Sequence, residues 1–287
     1  MHNLQLLQIC VSSFPNMKFL PIIYIVLRIL YKGEYILKNI IKFAAASLLV
    51  IGTSSAFAQK AGDFIGGIGG ALIVPNASIG TLTTTSTSNP YGVATANYFN
   101  NALNGANATI GSTSTLVFSG LYMWTDNIAT ELTIGIPPTM TVDLYLPNGS
   151  DPKSHPGAAT AKALTPSLVA KYLFNSPGDT WRPYLGLGFT YASFNSVSAN
   201  TSDSTVNALA GTSASLSSSF APVFNVGTIY NIDDKWSINA SISYVPLKTD
   251  ATFTGPGSPL LGSQPVNTTG TLTINPMEYV VRLGYKF

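Results

Sequence analysis

Cysteine is all but missing from this chain. Cys10 is the only one in 287 residues, which excludes a disulfide framework and any thiolate metal site. Charge is scarce as well: 9% of the residues are charged, against about 25% in an ordinary soluble domain. Histidine is confined to His2 and His155, too few for a histidine-based metal centre. Long apolar runs are also absent. Hydrophobic residues make up 46% of the chain and mean hydropathy is +0.28, yet no stretch supplies the roughly 20 apolar residues of a membrane-spanning helix. The nearest, residues 19–30, is short and is broken by Pro21 and Arg28. Apolar character that is plentiful but dispersed points to strands, where alternate side chains meet a nonpolar medium.

Residues 276–287 show the pattern most clearly. One face carries Met277, Tyr279, Val281, Leu283, Tyr285 and Phe287; the other carries Glu278, Val280, Arg282, Gly284 and Lys286. Aromatics at the ends of the apolar row, with aliphatics between, are the profile of a strand crossing a bilayer. Similar alternation predicts strands over 63–74, 116–124, 128–136, 164–174, 183–191, 220–230, 236–244 and 277–287. Their connections alternate between long (75–115, 137–162, 195–218, 250–270) and short (125–127, 175–179, 231–235). The first long loop is uncharged, with a short helical piece expected around 97–104. Strands of about 9–11 residues, even in number and joined alternately by short turns and long loops, describe an outer-membrane barrel. Closure is also the only way strands in lipid satisfy their backbone groups without an edge. The expected fold is therefore all-β: an eight-stranded antiparallel transmembrane up-and-down β-barrel with short periplasmic turns and long extracellular loops.

Ahead of the strands stands an export signal. Lys38 and Lys42 precede an apolar stretch over 43–51, and Ala56-Phe57-Ala58 is a small-x-small cleavage site. Residues 37–58 read as a signal peptide, with cleavage after Ala58 leaving Gln59 first in the mature chain. Residues 1–36 exceed a normal signal length of about 15–30 residues, and a misassigned translation start accounts for them; the rival is a long membrane-anchoring leader. Five of the 14 basic and one of the 12 acidic residues lie before Gln59, leaving nine basic and eleven acidic residues. The exported part, 59–287, is slightly acidic. It has no basic patch and no nucleic-acid partner is expected.

Four groups of residues resemble the OmpW family of small eight-stranded outer-membrane proteins. They are Gly62-x-Phe64 with Pro75; Tyr122-Met123-x-Thr125-Asp126-Asn127-Ile128-x-x-Glu131-Leu132; Arg182-Pro183-Tyr184-x-Gly186-x-Gly188; and Pro276 through Gly284-Tyr285-Lys286-Phe287. The resemblance spans about 62–287. It departs in a longer, blander first loop and in glycines where strand one of the family is bulkier, departures that bear on ligand selectivity. It implies a narrow barrel whose largely hydrophobic lumen passes or binds small apolar molecules. The alternative is a non-conducting structural or adhesive surface barrel presenting its loops. Expected partners are outer-membrane lipid, a small hydrophobic ligand and, through the terminal strand, the barrel-assembly machinery.

Alternation assigns Val117, Leu121, Met123, Val169, Leu173, Tyr184, Val223 and Ile229 to the lumen, with Phe194, Val245 and Val280. Eight strands leave room for side chains or one small ligand, which excludes a wide aqueous pore. Glu131, Lys171, Glu278, Arg282 and Lys286 also face inward and are expected to pair as a charge network plugging the lower barrel, since buried charges persist when paired; the rival reading is a gate. Ser154-His155 lies in a Pro/Gly-rich loop, so a solvated histidine is expected rather than a catalytic one. Neither enzyme chemistry, a cofactor nor a metal is expected. The loop aromatics Tyr91, Tyr98, Phe99 and Tyr145 either cap the lumen or pack the loops together.

Overall fold

The alternation of apolar and small or polar side chains is realised as one closed sheet. A computed structural model describes residues 59–86, 91–147, 153–259 and 262–287. The expected upstream extension (1–36) and signal peptide (37–58), with Ala56 and Ala58, lie outside the described residues. In chain order the elements are β1 (Phe64–Val74), β2 (Ser78–Ile79), β3 (Thr83–Thr85), α1 (Tyr91–Leu103), β4 (Asn107–Ile110), β5 (Thr113–Met123), β6 (Ile128–Gly135), β7 (Thr139–Leu146) and β8 (Lys153–Leu164). Then come β9 (Ser167–Leu173), β10 (Trp181–Ala199), α2 (Ser204–Ala210), β11 (Ser213–Leu216), β12 (Ser219–Asn231), β13 (Trp236–Tyr244), β14 (Lys248–Gly255), β15 (Val266–Thr273) and β16 (Met277–Lys286). Eight of these, β1, β5, β6, β9, β10, β12, β13 and β16, pair in that order with antiparallel neighbours, and β16 returns to β1. The barrel is closed.

Its outer face is banded. Near the short turns, Tyr122 and Trp124 stand 4.8 Å apart between ring centroids, Trp181 and Tyr230 4.7 Å, and Trp236 and Tyr285 4.8 Å. A second belt, with Tyr191 and Phe220 at 4.9 Å, lies near the long loops. Between the belts, Ile68, Leu132, Leu185, Leu187 and Val226 are exposed, as lipid-facing aliphatics must be. Gly66 has a role here: a Cβ would stand 3.0 Å from the Phe287 ring, so its bareness lets the terminal aromatic lie against β1.

The long loops are more ordered than the sequence predicts. Residues 137–162, expected as a loop, contain β7 and β8, which pair with each other, while β8 also pairs with the upper end of β10. β14 and β15 form a hairpin within the loop expected over 250–270, joined by β11, β2 and β3 into a second sheet. The helix in the first loop runs over Tyr91–Leu103 rather than 97–104. These elements carry the wall upward beyond the belts as an extracellular extension. Small side chains explain why they are hard to foresee: Ala158-Ala159-Thr160-Ala161 alternates too weakly in polarity to announce a strand.

Candidate functional site: a layered lumen beneath an apolar chamber

Glu131 on β6, Lys171 on β9 and Arg282 on β16 converge inside the barrel, all three buried. Lys171 Nζ donates to Glu131 Oε2 at 2.5 Å, and Arg282 Nη2 donates to the same oxygen at 2.9 Å. Arg282 Nη1 also donates to Thr133 Oγ1 at 2.8 Å, and Lys171 Nζ lies 4.2 Å from the centroid of the Tyr184 ring. The other two inward charges stand apart from this cluster. Lys286 pairs instead with Asp63 at 3.5 Å, and Glu278 joins no ion pair among the described residues. Strand geometry separates them: each is four residues from Arg282, about 13 Å along an extended chain. The five expected charges thus form one three-residue cluster, one separate pair and a carboxylate, Glu278, that feels Arg282 electrostatically without a salt-bridge contact.

Apolar layers lie above and below the cluster. Toward the periplasm, Leu121, Met123, Leu173, Tyr184 and Ile229 pack with Ile65 and Ala129. Toward the outside, Val169 and Val223 pack with Ile73, Val245, Leu247 and Ile274, and Phe194 rests against them. Val117 packs with Ala71 and Val280. Between the layers β13 supplies a polar wall of Ser237, Asn239, Ser241 and Ser243, all buried. Tyr184 Oη donates to Asn239 Oδ1 at 2.9 Å, and Asn225 Nδ2 donates to Ser243 Oγ at 2.9 Å. The lumen is therefore amphipathic from layer to layer rather than greasy throughout.

Above the outer apolar layer the extracellular extension surrounds a partly open cavity of about 90 Å³. Leu82, Val142, Ala161, Leu209, Phe253 and Leu272 are among its walls, and only apolar atoms face it. Phe99 and Leu103 of α1 pack at its side with Leu82 and Val266. Tyr91, Tyr98 and Tyr145 are exposed and do not cap the lumen; among the four loop aromatics Phe99 alone turns inward.

His155 departs from its expected solvation. It is 5% exposed, and its Nδ1 meets Asp203 Oδ2 at 2.6 Å. Asp203 also caps α2, accepting from the amides of Thr205 and Val206. Burial pushes the Asp203 carboxyl up, but the hydrogen bonds from His155 and from these two amides outweigh it and hold the group below its usual range. The pair joins β8 to α2 across the chamber wall. No sequence signal links two residues 48 positions apart, although an aspartate before Ser204-Thr205-Val206-Asn207-Ala208-Leu209-Ala210 is a recognisable helix start.

Arg182 was legible only as part of a motif, yet it is wholly buried at the periplasmic end. Its Nη1 donates to Gln59 O at 2.6 Å and its Nη2 to Asp126 O. Asn127 Nδ2 donates to Leu173 O at 2.8 Å, tying the first turn to the second. Among the described residues no three His, Cys, Asp or Glu side chains group as metal ligands do.

A closed eight-stranded wall, two aromatic belts and ordered extracellular loops define a small outer-membrane β-barrel protein. Residues 60–287 match the OmpW family, and the chain belongs to it. It is 28% identical over 247 residues to Outer membrane protein W of Vibrio cholerae, covering 84% of this chain and 96% of that one. It is 27% identical over 186 residues to Outer membrane protein AlkL of Ectopseudomonas oleovorans, 65% and 70% of the two chains. Among solved structures, OprG of Pseudomonas aeruginosa superposes with a TM-score of 0.63 at 24% identity, over 81% of this chain and 99% of that one. AlkL in lipid bilayers gives 0.53 at 23% identity, over 83% and 95%.

Proposed function

We propose that this barrel takes small apolar molecules from outside the cell into its extracellular chamber, as a binding site and the entrance to a narrow route. The observation that carries the reading is the chamber wall, which offers a ligand no polar atom. An apolar guest is favoured there by about 25 cal/mol per Å² of surface removed from water. Burying about 150 Å² gains about 4 kcal/mol before the cost of association, so binding is weak and reversible. Below the chamber, an apolar guest meets a packed layer and then the Glu131 cluster. Passing that point means separating buried charges, which makes the chamber, not the lower lumen, the place where such a molecule rests. The reading assigns no catalytic step. The export signal, with cleavage after Ala58, belongs to the same proposal.

Fluorobenzene binding to the reconstituted barrel, followed by fluorine NMR, tests this. Ala161→Phe fills the chamber from β8 and is expected to abolish saturable binding while the barrel stays folded. Equal affinity in the two folded proteins would overturn the reading.

A further inference from the structure

Gln59, the first described residue, lies 2% exposed across the periplasmic mouth. Its carbonyl accepts from Arg182 Nη1 at 2.6 Å, and its carboxamide Nε2 donates to Asn231 Oδ1 at 2.8 Å. Asn231 Nδ2 donates to Asp179 O at 2.9 Å. Ala61 N donates to Asp126 Oδ1 at 2.9 Å. Directly or through one intermediary, this short segment is therefore bonded to all three periplasmic turns.

Its backbone adds a second observation. Gln59 has φ 69°, a left-handed conformation that glycine adopts freely and a residue with a Cβ adopts at a cost. The engaged carboxamide offsets that cost. Inward of it lies a cavity of about 20 Å³ lined by Gln59, Ser119, Glu131, Ser237, Asn239 and Arg282 among others, on the scale of one water molecule. Gln59 and Arg282 both line it, and Gln59 Oε1 and Arg282 Nε have no hydrogen-bond partner among the described residues. An unpartnered acceptor ahead of β1 and an unpartnered donor on the ion cluster thus belong to residues that border one water-sized space.

We infer that Gln59 closes the periplasmic mouth, its carboxamide held by Asn231 and its backbone carbonyl by Arg182. Seated, the side chain covers the small cavity beside Glu131 and Arg282 from the periplasm; withdrawn, it opens that cavity to water. Apolar cargo plays no part in this inference, which stands or falls apart from the chamber.

The test uses the protein as exported, in lipid vesicles, with Ser237→Cys placing a reporter in the small cavity; cleavage after Ala58 leaves no native thiol. A membrane-impermeant thiol reagent is applied to the periplasmic face. Gln59→Gly is expected to speed labelling about tenfold, since a hydrogen bond and the filling side chain are both lost. Gln59→Ala, which keeps the Cβ, is expected to act in the same direction. The urea midpoint of both variants is expected to stay close to that of the parent, which separates a stopper from a general support. Equal labelling rates in all three folded chains, or faster labelling only in step with a falling urea midpoint, would overturn the inference.

Discussion

Glu131 is one anion serving two buried cations, and that asymmetry yields a prediction with a definite order. Replacing Glu131 by Gln keeps the shape but removes the only negative charge bonded, among the described residues, to Lys171 and Arg282, both of which donate to its Oε2. Removing one partner of a buried pair costs about 3–5 kcal/mol, because the charge left behind is uncompensated. Here two are left. Replacing Lys171 by Met behaves differently: it leaves Glu131 and Arg282 as a balanced pair and puts an apolar chain of similar length beside Tyr184. The loss is then one charge-assisted hydrogen bond, about 1.5–3 kcal/mol at most, partly recovered by packing. Urea unfolding in vesicles reads both variants, since Trp124, Trp181 and Trp236 lie on the outer face and report insertion. For a slope near 3 kcal/mol per molar urea, Glu131→Gln shifts the midpoint down by roughly 1–2 M, and Lys171→Met by well under 1 M. If Lys171→Met proved as harmful as Glu131→Gln, the shared-anion account would be wrong. The double variant supplies a check: with Lys171 gone, neutralising Glu131 strands one cation instead of two, so its added cost falls below that of the single change.

The remaining expectations concern other layers. Leu187 is 60% exposed between the aromatic belts; Leu187→Arg should cost about 2–4 kcal/mol in a bilayer, and a protein indifferent to it would not be facing hydrocarbon there. Asp203 is held below its usual carboxyl range in the folded chain. Its contribution is therefore full above the ordinary carboxylate pKa and is lost only as pH falls through the lower folded value. Asp203→Asn should loosen α2 at neutral pH, seen as faster amide exchange at Val206 and Leu209, with parent and variant converging only in acid below the usual carboxylate range; convergence at neutral pH would contradict the cap and the His155 contact together. Bilayer conductance of Glu131→Gln separates a gate from a fixed plug, and an unchanged trace removes the gate.

Legibility in the sequence followed the medium each residue meets. Where a strand faces lipid, one boundary condition acts on every second residue, and rows such as Ile128, Leu132 and Ile134 or Leu185, Leu187 and Phe189 cannot be mistaken. Inward sets are then legible by subtraction, which is how Glu131, Lys171 and Arg282 emerged as lumen residues. Subtraction gives a face but no height, so it could not tell that Lys286 lies too far down the strand to meet Glu131 and pairs with Asp63. Above the belts the boundary condition disappears. The wall between chamber and solvent is built from Ala158, Ala159 and Ala161, or from Thr268 and Ala251, whose small side chains suit either side and leave no period to read. His155 was misplaced for a related reason: a Pro/Gly-rich setting argues for solvent only if nothing folds over it, and α2 does. The chamber is hidden from sequence because it is a cavity between elements from four loops. The charge cluster is visible because each member sits on the face that the lipid-facing rows leave over. The same contrast bears on function. Substitutions in the chamber wall meet few local constraints, since exchanges such as Ala159→Val alter the cavity without disturbing any lipid-facing row. The cluster beneath it tolerates little, because each change there strands a charge. A fold arranged this way can change its chamber through the loops while keeping its barrel.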